Sequence, residues 1–245
     1  KRRNHLVRPW AQTGMDRRGA GFGKIARRFC DLTGGPVLYQ PANAVRLHVF
    51  LAEIDPPIWR RLVVPSDWTL DRLHLVLQAA FSWTDSHLHE FRIGGLRYGD
   101  PDQLEDGFGE PRAFDDTGVR LADFSGQDLT FTYLYDFGDD WTHVIRIEEW
   151  LSLDPLPRHA ECTEGARARP PEDVGGPWSY ADFLETIRDP NHEDHRSNLC
   201  WAGGHFDPDW FDIDLINKDL RNTFRKNTSR RLHQPKAKAA DEEAT

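Results

Sequence analysis

Apolar and polar residues alternate along several short stretches of this chain, which is the period-two pattern of strands with one buried face. The stretch AVRLHVFLAEI, residues 44–54, places every second residue on one face, and IWRRLVVP, residues 58–65, follows a DPP break. Because proline cannot donate a hydrogen bond to a sheet, we expect DPP to end the first strand. A further strand is predicted over residues 87–93, before a Gly-Gly turn.

Apolar residues three or four positions apart predict three helices. The first lies within SDWTLDRLHLVLQAAFSW, where Ser66 or Thr69 is the expected N-cap. The second lies within SYADFLETIRDP, with Ser179 as its cap and Pro190 as its stop. The third is predicted in DIDLINKDLRNTF, residues 212–224.

The stretch YDFGDDWTH lies between two alternating runs and predicts a β-hairpin. The apolar face before the turn consists of Phe131, Tyr133 and Tyr135, and the face after it consists of Trp141, His143, Ile145 and Ile147. We expect Tyr135 to lie opposite His143, Tyr133 opposite Ile145 and Phe131 opposite Ile147, with Gly138, Asp139 and Asp140 as a three-residue loop. A turn alone does not require Asp136, Trp141 or His143.

These elements predict an α+β fold in which helices pack on a mostly antiparallel sheet within a single domain. We expect the domain to span residues 43–226, between a mostly disordered basic segment, 1–42, and a disordered polar tail, 227–245. The ends are basic, whereas residues 43–220 hold 15 basic and 35 acidic residues, a net charge of −20. Such an acidic body repels phosphate, so nucleic acid is an expected partner only for the basic ends.

The chain has no apolar run of the roughly 18 residues that a membrane helix needs. Its first residues are basic and lack the apolar core of a secretory signal. The three cysteines, Cys30, Cys162 and Cys200, are too few and too scattered for a disulfide framework. We therefore expect a cytoplasmic protein without a membrane partner.

Four stretches occur in a distinctive order along the chain: WTDSHLHEFRI (83–93), YDFGDDWTHVIRIEE (135–149), CTEGARARPPEDVGGPWSYADFLE (162–185) and GGHFDPDWFDIDLINKDLR (203–221). In this order and wording they resemble the plasmid pRiA4b ORF-3-like family, over about residues 43–222. The resemblance implies an association with plasmids or mobile elements and carries over no biochemical activity. Some relatives bear a resolvase label, but the sequence has no serine-recombinase nucleophile context. Many relatives have cysteines where this chain has Arg169 and Val174, so a cysteine-rich metal site is not implied here.

Histidines predict one candidate metal site. On a strand, His87 and His89 would point to the same face, because side chains alternate. His143 and Asp136 from a neighbouring strand would complete a set suited to a divalent metal such as zinc. An open coordination position could then lower the pKa of a bound water to ~7 and permit hydrolysis. The alternative is that these histidines are hydrogen-bonded members of a half-buried sheet, or are simply exposed to solvent.

A second group of residues predicts a binding surface. The candidates from the loop PPEDVGG are Glu172 and Asp173, which two prolines and Gly175-Gly176 would hold in place. This loop is either a recognition loop or a clamp on the following helix. The candidates from the hairpin are Tyr135, Asp136, Asp139, Asp140 and Trp141.

Polar, aromatic and Gly/Pro-constrained residues concentrate in three stretches beyond what turns require, which favours a non-catalytic binding module. No phosphate-binding glycine motif and no nucleophile motif gives positive support for catalysis. Its protein or small-molecule ligand would meet a groove between hairpin 135–143, strand 87–91 and loop 170–176. One alternative is a metal-dependent hydrolase using His87, His89, Asp136 and His143. Another is a DNA-associated accessory protein that acts through its basic termini.

Overall fold

The computed structural model of this chain describes residues 29–30, 36–37, 41–104, 112–125, 129–225 and 234. The chain divides into two units, residues 1–40 and 41–245. In the first unit, β1 (Phe29–Cys30) pairs with β2 (Pro36–Val37) in an antiparallel ladder. The disorder expected for residues 1–42 and 227–245 falls almost wholly outside the described residues.

In the described part of the second unit, eight strands form one sheet in the order β10-β4-β3-β9-β8-β5-β6-β7. All neighbouring pairs are antiparallel except β6 and β7, which confirms the predicted α+β fold with a mostly antiparallel sheet. The strands are β3 (Ala44–Leu51), β4 (Trp59–Pro65), β5 (His89–Ile93), β6 (Leu96–Gly99), β7 (Ala113–Asp115), β8 (Thr130–Tyr135), β9 (Trp141–Leu151) and β10 (Glu161–Ala166).

Four α-helices accompany this sheet in the described residues: α1 (Leu70–Phe81), α2 (Gly176–Arg188), α3 (His195–Trp201) and α4 (Ile213–Asn222). Thr69 occupies the N-cap position of α1, but its hydroxyl bonds to Asp71 and not to a backbone amide. The cap predicted at Ser179 is wrong, because α2 already begins at Gly176 after a left-handed Gly175. None of the described helices is long and apolar enough to cross a membrane.

The hairpin forms, but its predicted register is wrong by two residues. Tyr135 lies opposite Trp141, and Tyr133 lies opposite His143. The predicted apolar faces survive, because a shift of two residues leaves every side chain on the same side of the sheet. The loop is therefore 136–140. It is closed by a hydrogen bond of 2.7 Å that the Asp140 amide donates to the Asp136 carbonyl.

The main core lies where α1 covers the buried face of the sheet. The alternating residues of β3 are at most 1% exposed, as the sequence pattern predicts. At one end of this core an aromatic group supports the loops described below, and its largest fully buried members are Trp83, Trp141, Tyr133, Tyr135, Tyr180 and Phe81.

Candidate functional site

Three segments of the chain meet around one imidazole. His87 lies just before β5, Asp136 begins the hairpin loop, and Glu172 and Asp173 belong to the PPEDVGG loop. His87 Nδ1 is 3.5 Å from Asp136 Oδ2, and His87 Nε2 is 3.2 Å from Asp173 Oδ1 and 3.9 Å from Glu172 Oε2. We call these four residues the junction site.

The hairpin loop holds the Asp136 carboxylate in one orientation. Asp136 has a left-handed backbone (φ +62°), a conformation that aspartate tolerates better than most residues. Its Oδ1 accepts hydrogen bonds from the amides of Gly138 and Asp139, at 3.0 and 3.3 Å. This local bonding leaves Oδ2 to face His87, and the residue is only 7% exposed.

Glu172 brings an incompletely bonded carboxylate to the junction site. Its Oε1 accepts hydrogen bonds from the amide and the hydroxyl of Thr84, both at 2.8 Å. Its Oε2 is buried and has no hydrogen-bond partner within the described part of the chain. A buried polar atom without a partner costs free energy, about 1–3 kcal/mol and more for a charged group. Glu172 Oε2 is therefore the atom of this site that a ligand would satisfy.

The junction site carries an excess of negative charge. Arg169 is the buried cation beside it, with Nη2 3.8 Å from Glu172 Oε1. Its guanidinium stacks on Trp83 and donates to the carbonyls of Ser82 and Pro170, and burial lowers its pKa to about 10. Arg169 is thus still a cation at neutral pH. The three carboxyl groups of the site, from Asp136, Glu172 and Asp173, outnumber its two basic groups, His87 and Arg169.

Asp139 joins the hairpin loop to the start of α2. Its Oδ2 accepts a hydrogen bond from the Gly175 amide at 3.0 Å. A Cβ on Gly176 (φ +81°) would lie 2.5 Å from the Asp139 carbonyl oxygen, so only glycine permits this approach. The contact accounts for Asp139 without a ligand and supports the clamp interpretation of Gly175-Gly176.

The structure does not bring the other two predicted metal ligands to the junction site. His143 is fully buried, with Nε2 accepting from Trp83 Nε1 at 3.0 Å and Nδ1 donating to the Trp141 carbonyl at 2.9 Å. His89 stacks on His74 with ring centroids 3.6 Å apart. The expected set of four fails for a simple reason. His87 precedes the strand, so the alternation that would align it with His89 does not apply.

The aromatic candidates lie beneath the site. Tyr135 and Trp141 are at most 1% exposed, and burial raises the pKa of the Tyr135 phenol. The Tyr135 hydroxyl accepts a hydrogen bond from the Ser86 amide at 3.1 Å, which positions the segment before His87. Asp140 is exposed and accepts a bond from the Thr142 hydroxyl at 3.2 Å. These contacts let the aromatic residues shape the site without lining it.

Sequence reasoning missed a second polar cluster near His87. His74, on the buried side of α1, bonds to Tyr133 and to Asp85, both at 2.8 Å. His74 and His89 line a pocket of about 540 Å³ that His87 also lines. The available signal was the position of His74 on the apolar stripe of α1, where a polar residue needs a buried partner.

A sequence profile described as plasmid pRiA4b ORF-3-like protein matches residues 43–215 of this chain. The chain belongs to this family. Two relatives show how far the pRiA4b ORF-3-like likeness extends. "Uncharacterized protein y4hQ" of Sinorhizobium fredii is 44% identical over 171 residues, which are 66% of this chain and 82% of that protein.

The second relative has a solved structure. The crystal structure of the "protein of unknown function MM3350" from Methanosarcina mazei Go1 has the same fold, with a TM-score of 0.62 and 34% sequence identity. The match covers 70% of this chain and 96% of that one. The fold of this chain is thus shared with the Methanosarcina mazei protein over nearly the full length of that protein.

Proposed function

We propose that the protein is a binding module whose ligand presents a positively charged group to the junction site. The observation that carries this proposal is the buried Glu172 Oε2, which has no hydrogen-bond partner among the described residues and lies 3.9 Å from His87 Nε2. A cation at this position would pair the oxygen and offset the local negative charge. Binding would remove the free-energy cost of leaving Glu172 Oε2 buried without a partner, and this gain would contribute to the affinity for the ligand.

The exposure of the site is suited to a ligand that enters from solvent. The side chains of Asp136 and Glu172 are 10% and 16% exposed, whereas that of Asp173 is 71% exposed. The buried carboxylates are held by Thr84 and by the hairpin loop, so they need little ordering when a ligand binds. Asp173 lies at the open side, where its carboxylate can adjust.

This proposal limits the binding surface, predicted as a groove between hairpin 135–143, strand 87–91 and loop 170–176, to the four residues of the junction site. Each of the three segments supplies at least one member of the junction site, although His87 lies just before its strand. The hydrolase alternative keeps only His87 and Asp136 of its four ligands, because His89 and His143 bond elsewhere. The basic termini lie almost wholly outside the described residues, so the DNA-associated alternative stays a prediction. Filter binding of DNA to the full chain and to a chain without its termini would test it.

Thermal unfolding with a panel of cations tests the proposal. The panel contains Mn²⁺, Zn²⁺ and Mg²⁺ as metal ions, and arginine amide and spermidine as organic cations. We expect at least one class to raise the melting temperature of the wild type, because binding to the folded state stabilises it. Asp173→Asn should weaken this shift, since it removes a charge from the open side of the site.

The matched control is Glu185→Gln, which removes an exposed acid from α2 outside the junction site. It should respond to the cations as the wild type does. Equal shifts in all three proteins, or no shift with any cation, would contradict a cation site at the junction.

A further inference from the structure

We propose that the cation is a divalent metal ion, held by His87, Asp136 and Asp173 with Glu172 beside them. This inference rests on the proposed function and specifies its ligand. His87, Asp136 and Asp173 each offer one ligand atom, and these three atoms all lie within 4.8 Å of one another. They come from three segments that the sheet and the clamp at Gly175 bring together.

The spacing of the ligand atoms is close to that of a metal site. Two ligands bound at about 2.0–2.2 Å lie roughly 3–3.5 Å apart around the ion. His87 can offer only one ring nitrogen to a given ion, so only one of its two short contacts belongs to the ligand set: Nδ1 with Asp136 Oδ2 at 3.5 Å, or Nε2 with Asp173 Oδ1 at 3.2 Å. The other separations, within 4.8 Å, have to shorten by about an ångström for bonds of that length.

The site can contract because one part of it is fixed and another is free to move. Asp136 is 7% exposed and is held by two amide hydrogen bonds within its own loop. Asp173 is exposed, and its carboxylate contacts the rest of the site through His87. Metal binding would therefore draw Asp173 inward while the hairpin loop stays in place.

Glu172 gives the second, independent indication of a metal ion. Its Oε2 is buried within 3.9 Å of His87 Nε2 and lacks a hydrogen-bond partner among the described residues. A metal ion, or a water bound to it, would satisfy this oxygen. The other oxygen of Glu172 is held by Thr84, as expected for a ligand whose orientation is set by outer hydrogen bonds.

The ligand types indicate which ions fit. An imidazole suits zinc and other first-row ions, and carboxylates suit manganese and magnesium. One imidazole with carboxylates therefore fits Mn²⁺ or Zn²⁺ better than a soft ion that prefers thiolates. Cys162, which is buried in β10, and Cys200, which is exposed on α3, take no part.

Equilibrium dialysis of chelator-treated full-length protein against Mn²⁺ or Zn²⁺, with metal content measured per chain, tests the inference. We expect one ion per chain in the wild type. The affinity should fall by about tenfold or more in both variants, since His87→Ala removes a ligand and Asp173→Asn replaces a carboxylate by a neutral, weaker amide oxygen. All proteins should carry Cys200→Ser, because the exposed thiol could bind Zn²⁺ by itself.

The control is His159→Ala, which removes an exposed histidine from the loop after β9 and should leave metal affinity unchanged. Because Asp173 is exposed, Asp173→Asn should fold as the wild type does, and the inference stays testable if His87→Ala fails to fold. Metal binding that is equal in the wild type and Asp173→Asn would overturn the inference. Stabilisation by organic cations alone would overturn it while leaving the proposed function intact, and no response to either class would remove both.

Discussion

His143 shows how one polar side chain is accommodated in an aromatic core. Its Nδ1 donates to the Trp141 carbonyl and its Nε2 accepts from Trp83 Nε1. Both ring nitrogens are thus used by the neutral tautomer. Protonation would place a second donor against the Trp83 indole, in a position without contact to water. Burial accordingly lowers the pKa of His143 to about 4.

This lowered pKa predicts a loss of stability in mild acid. The unfolded chain has an ordinary histidine pKa of about 6.5, so between that value and about 4 it binds a proton that folded His143 does not bind. Stability contributed by neutral His143 is therefore lost as the pH falls through this window. From about pH 7 to about pH 4.5 the loss amounts to about 2 kcal/mol. Urea unfolding across this range measures it.

The variant His143→Gln separates this effect from other titrating groups. An amide can still accept from Trp83 but does not titrate, so the acid-induced loss should be smaller in the variant by about 2 kcal/mol. The variant should be less stable than the wild type at neutral pH, because glutamine only partly fills the space that the imidazole ring occupies. Identical pH dependence in both proteins would contradict a neutral His143 in the core.

At the scale of elements, the contact between the hairpin loop and α2 holds the junction site together. Gly176 lets the backbone of α2 approach the Asp139 carbonyl, and Asp139 in turn bonds to the Gly175 amide. The first turn of α2 and the hairpin loop therefore act as one structural unit. Separating them would move Asp136 away from Asp173.

Gly176→Ala should separate them. The substitution adds a Cβ 2.5 Å from a backbone oxygen and also strains a residue with positive φ. Gly203→Ala is the matched control, because its φ is +94° and no atom lies within 4 Å of the added Cβ. The positive φ should cost about 1–2 kcal/mol in either variant.

The clash and the lost Asp139 hydrogen bond should make Gly176→Ala worse by about 2 kcal/mol more. Denaturant unfolding of both variants measures the difference. Equal losses of stability in the two variants would contradict a tight contact between the hairpin loop and α2.

The elements that sequence predicted correctly are those with a clear apolar period. The strands β3 and β4, the helix α1 and both faces of the hairpin follow from that period. The hairpin register did not follow, since a shift by two residues preserves the alternation. It depends instead on Asp136, whose carboxylate bonds to Gly138 and Asp139 and removes residues 136–140 from the ladder.

The candidate site was predicted in part for a related reason. The predicted groove already combined the segments of all four residues. Within it, the sequence assigned His87 to the metal set, Glu172 and Asp173 to the ligand-binding residues, and Asp136 to both. Periodicity places residues on faces of elements, whereas these four lie in loops or at the ends of elements. Their proximity depends on long-range contacts, such as Thr84 with Glu172 and Asp139 with Gly175, which leave no periodic signal.

At the scale of the whole molecule, residues 41–245 contain the sheet, the described helices and the core. We expect a chain that begins at Pro41 to fold by itself and to melt at the same temperature as the full chain. The described core residues and the hydrogen bonds described among them lie within that chain. Calorimetry of both chains checks this, and a large drop in the melting temperature of the shorter chain would show that residues 1–40 stabilise the rest.

The contact between Asp139 and Gly175 also links occupancy of the site to the persistence of α2. If the segment that contains α2 unfolds locally, Glu172 and Asp173 move away with it, while His87 and Asp136 stay next to strands β5 and β8. A bound ion would connect these two parts of the site and oppose the local unfolding. Amide exchange in α2 should slow when the site is filled, although none of the liganding groups belongs to that helix.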